Sequence, residues 1–324
     1  MKYLLIINPV SGPDANAIEM ASRAVSLLLE RGHEVTCFVT KEQDDAYHRA
    51  LDPGDADVVV VMGGDGTVNE VGRALIGTDT VMGILPNGSG NGLARELHIP
   101  MDLEPAIEVL LRHEVQRIDT GRVNGKPFLC TCGIGLDAAV SEKFSASKTR
   151  GFISYIADTV DLFGQYHAED YRLTIDGEES EVHAYIVSVA NASQYGNNAF
   201  IAPDASMVDG MLDVTAIEEF PAGEAGMIAY QLFSGDLTES KYTRQLRGRQ
   251  ITIRTDKSVL YHIDGDAMKE TRELTIEAVP RSLSICSGRP DDREKTIFDF
   301  LNTMRDNAQK LGAGVADLFT PKQR

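Results

Sequence analysis

Apolar residues fall into two different rhythms along the 324 residues of the chain. In the N-terminal third, short apolar runs alternate with stretches of helical spacing. KYLLIINP predicts a first strand, and Ile18, Ala21, Val25 and Leu28 recur at the spacing of a helix core face. HEVTCFVT reads as a second strand with Val35, Cys37 and Val39 on one side. Val58 to Met62 is an unbroken apolar run, the pattern of a strand buried on both faces of a parallel sheet. Val68, Val71, Leu75 and Ile76 then mark another helix. VMGILP at 81–86 is a further strand, and Pro105 in LEPAIEVLLRHE suits the first turn of a helix. This alternation predicts a parallel sheet with flanking helices.

After residue 121 the texture changes. RIDTGRV and KPFLCTCG flank Asn124-Gly125, and YRLTI and EESEVHAYIVSVA flank Asp176-Gly177; both predict hairpins with two-residue turns. MLDVTAIE, QITIRT, SVLYHID, ELTIEAV and SLSICS read as further short strands, interrupted by helical pieces near 152–166 and 221–234. The spacing fits an all-β sandwich or flattened barrel. Ile297, Leu301, Met304, Ala308 and Leu311 line one face of a terminal amphipathic helix. The expected organisation is an α/β domain over 1–121, completed by 291–324 docking back on it, and a β-rich domain over 122–290.

Composition narrows the classes. The net charge of -18 argues against a duplex nucleic-acid binder and against a protein that coats an anionic membrane. No stretch reaches the ~18 apolar residues of a membrane span. The apolar N-terminus is short and broken by Asn8-Pro9, so it reads as a strand rather than a leader. Four cysteines are too few for a disulfide framework, and Cys130 and Cys132 find no matching zinc ligands nearby. Reduced core cysteines imply a cytoplasmic protein. Lys241, Arg244, Arg247 and Arg249 form a basic run, read as a solvated face or, with Lys143, Lys148 and Arg150, as a docking patch.

Three glycine-bearing turns follow strands of the first domain: NPVSG (8–12), GGDGTVNE (63–70) and LPNGSGNGLARE (85–96). Loops at the carboxyl ends of parallel strands gather on one edge. Glycines bring backbone amides close to a guest, and a helix start favours negative charge, so phosphate is the expected ligand. No GxxxxGK[ST] is present, and Asn69 stands where a dinucleotide fingerprint needs its third glycine. The protein-kinase motif set is absent as well.

Taken together, NPVSG, GGDGTVNEV and PNGSGN resemble the catalytic domain of diacylglycerol and sphingosine kinases, and the soluble bacterial lipid kinases of that group in particular. NAD kinases share the GGDGT turn. The resemblance implies a nucleotide-binding α/β domain of the NAD-kinase type, a sandwich-like lipid-binding domain, and ATP and Mg2+ as cofactors. Asn8, Pro9, Val10, Ser11, Gly12, Thr40, Gly63, Gly64, Asp65, Gly66, Thr67, Val68, Asn69 and Ser89 would contact ATP. Asp65 would hold Mg2+, directly or through water, in keeping with the preference of hard cations for carboxylate oxygen. The family's Asp-Gly-Glu motif, which places a general base, appears here as Asp264-Gly265-Asp266. Asp266 stands at the position of the base with one methylene less than glutamate, and Asp264 is the neighbouring candidate. A structural Mg2+ site would take the Asp209 carboxylate with the carbonyls of Ser206 and Met211. Residues 131–144 resemble the entry to the second domain and would line the cleft, and the apolar stripe of 152–163 would admit an acyl chain.

The implied activity is ATP-dependent phosphorylation of a lipid hydroxyl, with diacylglycerol first. A sphingoid base or ceramide, NAD, and a nucleotide- or lipid-sensing protein without catalysis are the alternatives. The implied partner is a lipid met peripherally at the inner face of the membrane, with no nucleic acid; a homodimer is compatible with the pattern.

Overall fold

The computed structural model describes residues 1–12, 16–146 and 166–292. The expected terminal helix, its return to the first domain and nearly all of the expected helical piece at 152–166 lie outside the described residues.

Four parallel strands carry the N-terminal half: β1 (Lys2–Ile7), β2 (Glu34–Val39), β3 (Val58–Gly63) and β4 (Val81–Pro86), in the order β2-β1-β3-β4. β3 is buried at every position, as its continuous apolar run requires. The helices are α1 (Ala17–Glu30), α2 (Asp45–Leu51), α3 (Asp65–Leu75), α4 (Gly92–Glu96) and α5 (Leu103–Arg112). α1 packs with α5, and α2 with α3.

Two inward faces differ from expectation. In α1 the stripe is Ala17, Ala21, Ala24 and Leu28, while Ile18 is 54% exposed. Small side chains let the helix lie close to the sheet, and the larger Ile18 falls outside that stripe. β2 forms the edge of the sheet, so cover over it is partial: Val35 and Phe38 pack on the core, whereas Cys37 and Val39 are exposed.

The C-terminal half is antiparallel apart from one junction. Its elements are β5 (Val115–Val123), β6 (Lys126–Phe128), β7 (Thr131–Gly135), α6 (Leu136–Ala146), β8 (Glu169–Ile175), β9 (Glu178–Ala190), β10 (Leu212–Glu218), α7 (Ala225–Ser234), β11 (Thr243–Gly248), β12 (Gln250–Val259), β13 (Tyr261–Ile263), β14 (Asp266–Ala267) and β15 (Thr271–Cys286). Both hairpin turns have positive φ at their two central residues, 47° and 80° at Asn124-Gly125 and 49° and 94° at Asp176-Gly177. That is the geometry for which Asn-Gly and Asp-Gly are selected.

The stretches ELTIEAV and SLSICS, expected as two strands, are one. β15 runs through Pro280 and Arg281 with a register shift between Val279 and Leu283, and Arg281 takes φ 50°. β5 pairs along its length, from Val123 opposite Ile276 to Val115 opposite Cys286. At Ile285 this ribbon also meets Met82 of β4 in parallel, joining the two halves into a continuous hydrogen-bonded sheet. One core lies under the parallel sheet and a second inside the sandwich-like half, where Phe128, Tyr171, Leu173 and Ile253 are buried.

Candidate active site

The three glycine-bearing turns leave the carboxyl ends of β1, β3 and β4, which are neighbours. β1 sits where the chain winds first to β2 on one side and then to β3 on the other, the crevice at which open sheets bind ligands. Side chains bind the turns together. Asn8 donates through Nδ2 to the Thr67 hydroxyl at 2.8 Å. Asn87 donates to the Ser11 carbonyl at 3.2 Å and to its hydroxyl at 3.3 Å. Asp65 accepts the amides of Asn91 at 2.9 Å and Gly92 at 2.7 Å, so it holds the start of α4 against the second turn. Burial pushes the Asp65 carboxyl up, and these amides pull it back. The second and third turns touch at Gly64 and Gly88: a Cβ on Gly88 would come within 2.5 Å of the Gly64 Cα.

The remaining expected contacts are spread around this edge. The Thr40 amide and hydroxyl bond the Ile7 carbonyl at 2.9 and 3.3 Å, fixing the end of β2 beside β1. Val10, Gly66 and Ser89 are exposed at the turn tips, whereas Val68 is in the core and offers only its backbone. In α3 the first intrahelical bond runs from the Val68 amide to the Gly64 carbonyl, so the amides before it face the open edge. Their direction suits the phosphates of a nucleotide.

Asn69 turns the other way. Its amide donates to Asp264 at 2.5 Å, bridging α3 to the turn between β13 and β14. Asp264 also accepts the amides of Leu129 and Cys130, both at 2.8 Å, and of Thr131 at 3.0 Å. Two bonds fall on each oxygen, so its lone pairs are filled. Burial raises the Asp264 carboxyl, against the pull of these four donors. Asp266, two residues on, is exposed, and its carboxylate accepts no hydrogen bond among the described residues. Partial desolvation raises its carboxyl, opposed by the charge of Arg73 and by the neighbouring His262. Of the two expected carboxylates, Asp264 is a strut and Asp266 is the free acceptor.

The second expected metal set is differently engaged. Asp209 is ion-paired to the Arg247 guanidinium and accepts the Met211 amide at 3.0 Å. Arg247 thus neutralises the Asp209 carboxylate in this structure, so a dication at this set would have to displace the guanidinium. No group of three or more His, Cys, Asp or Glu side chains is placed to hold a metal among the described residues. Of the basic run, Arg244 and Arg247 lie on β11, whose only strand partner among the described residues is β10, and Lys241 and Arg249 flank it. Lys241 faces Glu224, Arg244 donates to the Glu181 carbonyl, and Arg247 meets Asp209 and Asp213. Charge along an unpaired edge strand blocks edge-to-edge pairing.

Sequence reasoning missed several polar side chains that hold this region. Asp119, fully buried, accepts the amides of Gly210 at 2.6 Å and Arg281 at 2.7 Å. Asn191 donates to the carbonyls of Asp119 and Leu129 at 2.9 and 2.7 Å. Glu96 accepts the Ser193 amide and hydroxyl at 3.1 and 2.5 Å, and burial raises its carboxyl. Asp137 and His262 form a buried pair at 3.1 Å. Their signal was a charged or polar residue inside an apolar frame, as in RIDTG, GIGLDAAV and YHI. A cavity of about 230 Å3 beside Glu96 and Ser193 is lined by Arg95, Met101, Gln194 and Phe200, and by none of the expected site residues.

Comparison with known proteins agrees with this fold. Residues 2–123 match the model of the diacylglycerol kinase catalytic domain, and residues 130–287 that of the YegS C-terminal NAD kinase beta sandwich-like domain. A Mycobacterium tuberculosis protein called diacylglycerol kinase is 29% identical over 298 residues, 89% of this chain and 96% of the relative. A Pseudomonas aeruginosa protein called probable lipid kinase YegS-like is 31% identical over 292 residues, 88% and 93% of the two. The crystal structure of a diacylglycerol kinase from Bacillus anthracis shares the fold, with TM-score 0.70 and 23% identity over 90% of this chain and 97% of that one.

Proposed function

The chain belongs to the diacylglycerol kinase catalytic-domain family of lipid kinases, and on that premise we propose that it transfers the terminal phosphoryl group of ATP to the hydroxyl of diacylglycerol. The observation that carries the reading is the bond from Asn69 to Asp264. It sets the helix of the phosphate-binding turn directly against the turn that bears Asp266, so donor and acceptor machinery face one cleft.

ATP lies along the turns at 8–12, 63–69 and 86–91, with its phosphates on the amides that open α3. Asp264 braces the cleft, and Asp266 takes the proton of the lipid hydroxyl. The freed oxygen forms a bond to the γ-phosphorus as the bond to the β-phosphate oxygen breaks, and ADP leaves. Turn amides stabilise the charge that gathers on the transferring group. Mg2+, when bound, neutralises phosphate charge. Asp65 suits it through water, because each of its oxygens already accepts one amide and keeps one lone pair.

The lipid is met peripherally, at the inner face of the membrane. No helix among the described residues is long and apolar enough to cross it; of the basic run, Arg244 and Arg247 bond partners within the fold while Arg249 is exposed beside them, and Lys148 and Arg150 lie outside the described residues. Incubation with radiolabelled ATP, Mg2+ and separate vesicle preparations carrying diacylglycerol, sphingosine or ceramide, with NAD in a parallel tube, tests the reading. The expected product is labelled phosphatidic acid. Labelled NADP without labelled lipid, or no product beside measurable ATP binding, overturns it.

A further inference from the structure

A second polar chain runs beneath the Asp266 turn, apart from the contacts that hold Asp264. Asp137 opens α6 and is 4% exposed, and His262 on β13 is 1% exposed. Asp137 Oδ2 accepts from His262 Nε2 at 3.1 Å and from the Tyr195 hydroxyl at 3.1 Å, and Oδ1 accepts the Ala138 amide at 2.8 Å. The other imidazole nitrogen, Nδ1, accepts the Gly265 amide at 3.4 Å. An acceptor at Nδ1 assigns the proton to Nε2, which then donates to Asp137. The Tyr195 ring meets the imidazole edge-on at 6.0 Å. Gly133 lies opposite His262 in the β7–β13 pairing, and a Cβ there would overlap both Asp137 and His262, so the pair occupies space that only glycine leaves open.

Tyr195 extends the chain to the nucleotide side. The neighbouring Asn197 amide donates to the Gly90 carbonyl at 3.2 Å, and the Tyr195 carbonyl packs on Gly92. Gly92 is one of the two residues whose amides hold Asp65. A continuous set of contacts therefore leads from the third phosphate turn through Tyr195, Asp137 and His262 to Gly265, the residue before Asp266.

We propose that Asp137, His262 and Tyr195 are positioning residues that set the Asp264–Asp266 turn and tie its geometry to the nucleotide-binding turns. None of them touches the reacting atoms. His262 holds the Gly265 peptide from below, Asp137 fixes the ring and its tautomer, and Tyr195 ties that carboxylate to the loop that grips Gly90. A buried network of this kind keeps one geometry, because each member left unsatisfied is costly. The inference rests on Asp266 being the base.

Two substitutions separate positioning from bulk. In His262→Asn the amide oxygen lies near the place of Nδ1 and still accepts from Gly265; in His262→Gln the amide nitrogen reaches toward Asp137, and Gly265 loses its acceptor. With diacylglycerol in phosphatidylglycerol vesicles, His262→Gln is expected to lower kcat about 10- to 100-fold, the scale of a small misplacement of a reacting group. The ATP dissociation constant, measured by calorimetry, should stay within about twofold, and His262→Asn should recover most of the loss. Amide exchange across 261–268, read without substrate, should quicken in His262→Gln and not in His262→Asn. Wild-type kcat in a folded His262→Gln variant overturns the proposal, as do equal losses in both variants with unchanged exchange. Asp266→Asn separates the two readings: if it is active while His262→Gln is not, the assignment of the base fails and the relay positions another group. If it is inactive while His262→Gln is not impaired, the relay alone fails.

Discussion

Replacing Asp264 by asparagine changes one atom and tests whether the carboxylate braces the cleft. Its φ of 47° is left-handed, and asparagine accepts that conformation as readily as aspartate, so backbone strain does not confound the change. The wild-type carboxylate receives two donors on each oxygen: Asn69 and Leu129 on Oδ2, Cys130 and Thr131 on Oδ1. In the variant one oxygen becomes an NH2 group facing two donors. Placed toward Asn69, it lets that side chain flip its amide and accept, which recovers one bond. The Leu129 amide then faces a donor, and the bonds to Cys130 and Thr131 lose their charge assistance. Hydrogen bonds to charged groups contribute about 1.5–3 kcal/mol each and neutral ones about 1, so at the low end of that range one bond lost and three reduced to neutral strength sum to roughly 3 kcal/mol, less a part returned because a neutral amide costs less to bury.

Urea unfolding should therefore show a destabilisation of about 2–3 kcal/mol. The chain has no tryptophan, so far-UV circular dichroism is the suitable probe. Asn69→Ala alone should cost about 1.5 kcal/mol or slightly more, and in the Asp264→Asn background about 1, because only a neutral hydrogen bond is left there to lose. A loss below about 1 kcal/mol in Asp264→Asn would refute the reasoning, since the amides of 129–131 would then not depend on the charge.

Two further outcomes follow from the site. Asp266→Asn should cut kcat about 100-fold or more, while Asp266→Glu keeps most of it. In the wild type, partial desolvation raises the Asp266 carboxyl, so it stays protonated at higher pH than a free aspartate; as pH falls, the rate should drop above the ordinary value of about 3.9, and a drop only at or below it contradicts the assignment. Gly88→Ala places a methyl within 2.5 Å of the Gly64 Cα and 2.9 Å of the Asn91 side-chain oxygen, forcing the second and third turns apart. ATP affinity by calorimetry should fall about tenfold or more, and unchanged affinity would show that the turns do not act together.

What the sequence disclosed and what it withheld divide by range. Asn124-Gly125 and Asp176-Gly177 were legible because the preference for positive φ resides in the residues themselves. The run Val58–Met62 and the three turns were legible for the same reason: burial on both faces and close backbone approach leave local marks. β15 was not, because Pro280 looks like an end, and only Asp119, from another strand, supplies the acceptor that carries the chain through Arg281. The two aspartates of the Asp-Gly-Asp turn make the point most sharply. Two residues apart on one turn, they have the same side chain and are indistinguishable by local pattern. Asp264 is separated from Asn69 by 195 positions and from Leu129 by 135, and those distant donors fill its lone pairs. A carboxylate so occupied must break a bond before it can take a proton, whereas Asp266 gives up nothing. The division of labour between strut and base is therefore a property of the long-range packing, which brings α3 and the 129–131 backbone to one aspartate and leaves the other open.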